Sequence, residues 1–202
     1  MRTNNREQIL KTARRLLPKY GYSGVSIRAI AMKAKLTTGA IYFHFKNKNE
    51  IYRTICYEAI DMLVEKFREG IGGRENPGQK LISTFDSYIT FFYEHRDHYN
   101  ILMEYKSHVH PEDHAENYEI MKKMCQMTDL MEETVRVGIK QGTFRNLDPR
   151  MLAILLAAVT EGMLHLKQLG MFDYLNISDA DFRHFMAEIT GRGIERENAG
   201  IG

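Results

Sequence analysis

Apolar residues recur along this chain at three- and four-residue spacing, and the pattern predicts helices from end to end. Residues 5–20 place Ile9, Leu10, Ala13, Leu16, Leu17 and Tyr20 on one stripe, and Gly21 ends that helix. Pro18 removes a backbone donor and crowds the Arg14 carbonyl, so the last turn should be distorted. Ser26 is a good N-cap for a short second helix with Ile27, Ile30, Ala31 and Ala34 on its inner face. Lys35-Leu36 is a turn, Thr37 caps a third helix over 38–45, and Ile41 and Phe45 point inward. Asn47 with Glu50 resembles a capping box and opens a long helix through about Glu69. Gly70, Gly72 and Gly73, then Asn76-Pro77-Gly78, read as the clearest linker.

Beyond the linker the helices lengthen. One is expected over 80–96, a short one over 99–107, and a long one over 113–141 ended by Gly142. Another runs from Pro149 to about Leu169, and a last one, capped by Ser178, carries Phe182, Phe185, Met186 and Ile189. Residues 108–114 form a polar break, and the glycine-rich tail from Gly191 should fray. No run alternates as a strand would and no repeat occurs, so the expected class is all-α with about nine helices.

Composition adds limits. The chain has 202 residues, 44% hydrophobic and 27% charged, which is ordinary for a soluble globular protein with a sizeable core. Cys56 and Cys125 form no CxxC, a pattern of reducing compartments. The polar start argues against a signal peptide, and the longest apolar run, Met151 to Val159, is about half a membrane span. These features point to a cytoplasmic protein with no membrane partner. Charge changes the picture more. Residues 1–53 hold 12 Lys and Arg against two acids, a net +10, whereas the rest holds 16 against 24, a net −8. Such asymmetry suits a segment that meets a polyanion, either nucleic acid or an anionic membrane surface.

Two short helices joined by a tight turn, within that basic segment, are the elements of a helix-turn-helix. A recognition helix enters a major groove about 12 Å wide, so its outer face needs small or planar side chains. Residues 38–45 supply Thr38, Gly39 and Ala40, then Tyr42, Phe43 and His44. Gly39 permits close backbone approach, and unpaired amides at the helix start suit a phosphate. Blander roles compete at two positions: Tyr42 packing on the first helix, and His44 bonding the next one.

These residues carry a resemblance. Gly21-Tyr22, Ser26-Ile27-Arg28-Ala29-Ile30-Ala31, and Leu36-Thr37-Thr38-Gly39-Ala40-Ile41-Tyr42-Phe43-His44-Phe45-Lys46-Asn47-Lys48 resemble the N-terminal signature of the tetracycline-repressor (TetR) family. Gly138-Ile139, Gly142-Thr143-Phe144-Arg145, Asp148-Pro149 and Gly162 resemble its less constrained C-terminal domain. The resemblance implies a DNA-binding domain over 1–53, a linking helix over about 48–69, and a ligand-binding and dimerisation domain over 54–202. It implies a homodimeric regulator, usually a repressor, that binds a near-palindromic double-stranded DNA operator. A small, largely hydrophobic effector of unknown identity would release it. Carried over by position, Thr37, Thr38, Gly39, Ala40, Tyr42, Phe43, His44 and Lys48 commonly touch DNA, and Ser26 and Arg28 fall where phosphate contacts are common. Tyr42, His44 and Lys48 would position the backbone, and Thr38, Ala40 and Phe43 would face bases. This chain departs from the family at Lys35, where glycine is common, at Ala29, Val25 and Pro18.

In the second domain, the helix from Met151 is apolar almost all round. Leu155, Ala158, Gly162 and Leu169, with Phe182, Phe185, Met186 and Ile189, form stripes suited to an isologous four-helix interface, or equally to an internal core. Candidates for an apolar ligand pocket are Phe85, Tyr88, Phe92, Met103, Tyr118, Met121, Cys125, Met163 and Leu166. Glu161 interrupts an apolar helix and reaches either that pocket or solvent. His95, His98, His108, His110 and His114 cluster in sequence, but a solvated polar break explains them better than a metal site. No cofactor is implied. The chain has no phosphate loop, GxSxG or HExxH, and no catalytic residue is assigned.

Overall fold

Each helix boundary follows from a capping or turn residue. The computed structural model describes residues 5–107 and 114–194, and these are all-α with ten helices. They are α1 Asn5–Gly24, α2 Ile27–Ala34, α3 Thr38–His44, α4 Lys48–Gly72 and α5 Pro77–Glu94. They continue as α6 Arg96–Ser107, α7 His114–Lys140, α8 Pro149–Gln168, α9 Met171–Tyr174 and α10 Asp179–Ile194. Two compact units form. The described residues of Met1–Met62 and Tyr93–Lys123 make one, and those of Leu63–Phe92 and Met124–Gly202 make the other. The sequence places its first boundary at residue 53, whereas the first unit runs to Met62 and takes in the described residues of Tyr93–Lys123.

In the first unit, α1 is broken at Gly21, whose φ of 69° and ψ of 169° leave helical space. Ile9, Leu10, Ala13 and Leu17 are buried with Ile30, Ala31, Ala34, Ile41 and Phe45 of the following helices. Asn47 Oδ1 accepts the Glu50 amide at 2.9 Å, but the Glu50 carboxylate reaches the Lys46 amide at 2.5 Å, one residue earlier than a reciprocal box requires.

The expected linker needs correction. Gly70 and Gly72 lie inside α4. A side chain at Gly70 would stand 2.9 Å from Ser87 Oγ and 3.2 Å from Ser83 Oγ, so this glycine admits α5. Asn76-Pro77-Gly78 begins α5: Asn76 Oδ1 accepts the amides of Gly78 and Gln79 at 2.8 and 3.1 Å. Both α5 and α6 begin three residues earlier than the pattern suggests.

Further along the second unit, Phe144 folds its ring onto Gly138, where a Cβ would meet Cδ2 at 2.2 Å. Asp148 caps α8 by accepting the Met151 amide at 2.9 Å, and Ser178 Oγ accepts the Asp181 amide at 3.1 Å. The sequence pattern missed α9, which is four residues long. Instead of fraying from Gly191, α10 runs to Ile194, whose carbonyl accepts the Arg145 amide at 2.8 Å. The remaining tail lies outside the described residues. Among the described residues one helix, α8, is long and apolar enough to match a membrane span, and 28% of its apolar window is buried.

Candidate nucleic-acid interface

The reader is built by local chemistry. Ser26 and Thr37 both have extended backbones, and each hydroxyl oxygen accepts an amide three residues on, from Ala29 and Ala40, at 3.1 Å. Either hydroxyl can still donate its hydrogen outward. Between the two caps, Lys35 adopts the left-handed conformation (φ 53°, ψ 41°) that a turn between α2 and α3 requires. The Leu36 amide then donates to the Ala31 carbonyl at 2.9 Å and closes the turn.

This turn gives α3 two distinct faces. Ile41 and the capping Phe45 are buried, while Tyr42 is 58% and Phe43 84% exposed. Thr37, Thr38 and Gly39 are exposed, and Ala40 and His44 are half-buried. The Phe43 ring meets the His44 ring edge-on, with centroids 5.0 Å apart. The exposure of Tyr42 speaks against packing on α1. Arg28, Lys33, Lys35 and Lys46 are exposed on the same motif, and Ser26 beside them. The result is a projecting apolar tip among cations, the makeup that a groove lined with phosphates accepts.

Lys48 is placed differently from the other expected contacts. Its Nζ donates to the carbonyls of Tyr22 and Val25 at 2.6 and 2.9 Å, and lies 4.0 Å from the centre of the Tyr22 ring. Burial lowers the ammonium pKa, and the charge of Glu104 works against that effect. The side chain therefore holds the connector between α1 and α2. Sequence reasoning missed Glu104 and Tyr52, which share this environment. No local signal marks them, because Glu104 lies on α6, far along the chain.

Of the nine expected pocket residues, three fall in the first unit and six in the second. Met103, Tyr118 and Met121 belong to the first unit, and the latter two are exposed. In the second unit Tyr88, Phe92 and Met163 are core, Cys125 and Leu166 are exposed, and Phe85 alone of the nine lines a small pocket. That pocket has a cavity volume of about 30 Å³ between α5, α7, α8 and α10, with Leu81, Thr84, Met131 and Thr160 also on its walls. Glu161 accepts the Tyr88 hydroxyl at 3.1 Å.

Of the eight residues with expected interface roles, Leu155, Ala158, Gly162, Leu169, Phe185 and Ile189 are exposed, and Met186 is half-buried. Phe182 packs internally, stacked on Phe85 at 6.0 Å and tilted against Phe172 at 5.7 Å. The rings of His95 and His98 lie 6.1 Å apart. Burial foremost, with the Arg14 charge next, pushes His98 down to about 4. Among the described residues no group of three or more His, Cys, Asp or Glu could hold a metal ion. His108 and His110 lie outside the described residues.

Residues 9–55 match a family model described as bacterial regulatory proteins, tetR family. Residues 74–165 match one described as the tetracyclin repressor-like C-terminal domain. Over 101 residues the chain is 30% identical to YerO of Bacillus subtilis, an uncharacterized HTH-type transcriptional regulator; the match covers 48% of this chain and 35% of YerO. Matches span 35–43% of the first curated relatives' own length. A tetR-family bacterial regulatory protein from Rhodococcus RHA1 superposes with a TM-score of 0.77 at 18% identity, over 97% of this chain and all of that one. AibR, solved with isovaleryl coenzyme A and operator DNA, gives 0.66 at 22% identity, over 78% of this chain and 84% of AibR.

Proposed function

The chain belongs to the tetR family of bacterial regulatory proteins, and from that premise we propose how it regulates. It is a sequence-specific repressor that binds a near-palindromic operator as a homodimer and is released by a small, largely hydrophobic effector. The observation that carries this reading is α3, with Ile41 and Phe45 buried and Tyr42 and Phe43 projecting among cations. Ser26, Arg28 and Thr37 meet phosphates, as do Tyr42, His44 and the start of α4 at Lys48. Thr38, Gly39, Ala40 and Phe43 lie against base edges.

The homodimer is supported by α8 and α10. Their exposed Leu155, Ala158, Gly162, Leu169, Phe185 and Ile189 form an apolar surface that a second copy would cover isologously. Two readers then fall one DNA turn apart, about 34–36 Å. The effector would bind in the C-terminal domain; AibR, which shares this fold, is solved with an acyl coenzyme A as well as operator DNA. It shifts the equilibrium only as far as it prefers the conformation with mismatched reader spacing. The apolar walls around Phe85 favour a hydrophobic ligand, which would have to widen the space of about 30 Å³ between them.

The test is selection of duplexes from a random pool, followed by titration against scrambled competitor over a salt series. Competitor-resistant binding of two protomers, or a small multiple, per palindromic site is expected, with affinity falling steeply as salt rises. Failure to enrich any sequence would sink the reading, and salt-sensitive binding to anionic vesicles instead would favour a membrane-surface role for the basic segment.

A further inference from the structure

The connector into α2 runs from the kink of α1 at Gly21 to Val25 and delivers the chain to Ser26, the cap of α2. It is gripped from two sides. From α6, Glu104 Oε1 accepts the Tyr22 amide at 2.7 Å. From the start of α4, Lys48 Nζ donates to the carbonyls of Tyr22 and Val25 at 2.6 and 2.9 Å. One peptide segment thus has its amide held by an anion and its carbonyls held by a cation, and all three bonds are charge-assisted. The aromatic rings complete the grip. Tyr22 lies 5.0 Å from Tyr52, and Tyr52 lies 5.7 Å from Tyr105 of α6. The Tyr52 hydroxyl donates to the Ile101 carbonyl of α6 at 3.1 Å. The kink is shaped to fit: a Cβ at Gly21 would stand 3.2 Å from Glu104 Oε1, at a backbone angle that other residues rarely adopt.

We propose that Glu104 is a positioning residue for DNA recognition, holding α2 and α3 at the angle at which α3 meets base edges. It acts through Tyr22 and Lys48 and touches no DNA. This rests on the operator-binding reading above and names a determinant of its specificity. The physical argument is one of tolerance. Phosphate contacts made by long, flexible cations survive a small rotation of the reader, whereas base-edge contacts depend on position to within a few tenths of an ångström. Loosening the grip should therefore lower affinity for the preferred sequence far more than affinity for any duplex.

The experiment compares wild type, Glu104→Gln and Glu104→Ala on a duplex selected with wild type and on its scrambled counterpart, over a salt series, with thermal unfolding alongside. Glu104→Ala should lose about tenfold or more on the selected duplex and less than about twofold on the scrambled one, with the salt slope on scrambled DNA unchanged. Glu104→Gln keeps an acceptor for the Tyr22 amide but loses the charge facing Lys48, and should fall between. If Glu104→Ala does not fold, Glu104→Gln carries the test through its ratio of selected to scrambled affinity. Equal losses on both duplexes, or no loss, would overturn the inference while leaving the operator reading intact. A wild type that prefers no duplex would overturn both.

Discussion

Two surfaces of this protein expose large apolar side chains, and their surroundings differ. On α3, Tyr42 and Phe43 project from a helix of seven residues beside Lys33, Lys35 and Lys46. On α8, Met151, Ile154, Leu155 and Leu166 follow one another along a helix of 20 residues with few charges among them. An apolar tip ringed by cations suits a polyanion with grooves, while an uncharged stripe several turns long suits another protein surface. Exposure alone does not separate these occupants; the neighbouring charge does.

The largest effect should come from the stripe. Leu155→Glu puts a charge at its middle and should yield monomers by light scattering, with operator affinity down about a hundredfold, because linked binding at two half-sites is lost. A persistent dimer would move the seam away from α8. Next comes the tip. Phe43→Ala should cost ~1–3 kcal/mol on the selected duplex and little on a scrambled one. Equal loss on both would make Phe43 a general contact. Thr37→Ala, which removes the α3 cap, should destabilise the N-terminal unit by about 1 kcal/mol, visible as a fall of a few degrees in its Tm. The smallest effect has two signs. Lys35→Gly should relieve a left-handed non-glycine residue and add up to ~1 kcal/mol of stability, while lowering the salt slope of DNA binding by about one if Lys35 meets a phosphate. No gain in stability would mean that other contacts already offset the strained turn.

The same division governs what could be read from the residues alone. Ser26 and Thr37 cap their helices as expected because capping is a bond to an amide three residues away. Ile30, Ile41 and Phe45 are buried because helical spacing puts them on one face. Spacing says that a face is covered but not by what. Phe85, Tyr88 and Phe92 share a helix, yet one lines a pocket and two are core. Gly70 read as a linker because its reason for being glycine, the serines of α5, lies more than ten residues ahead. Lys48 stands out by its place in a motif, but no local pattern reveals the carbonyls its ammonium holds, which belong to residues 23 and 26 positions earlier.

The crossing at Gly70 has a mechanical consequence. Most helix pairs mesh ridges into grooves, and turning one against the other means lifting side chains out of their slots. Here α4 contributes a bare backbone, and α5 meets it with two serines, one of which donates to the Lys66 carbonyl at 2.9 Å. One turn earlier on α4, Phe67 meets Tyr88 of α5 edge-on at 6.3 Å. The two helices are thus keyed by one ring pair beside a smooth contact, and a bulkier residue at 70 would wedge them apart.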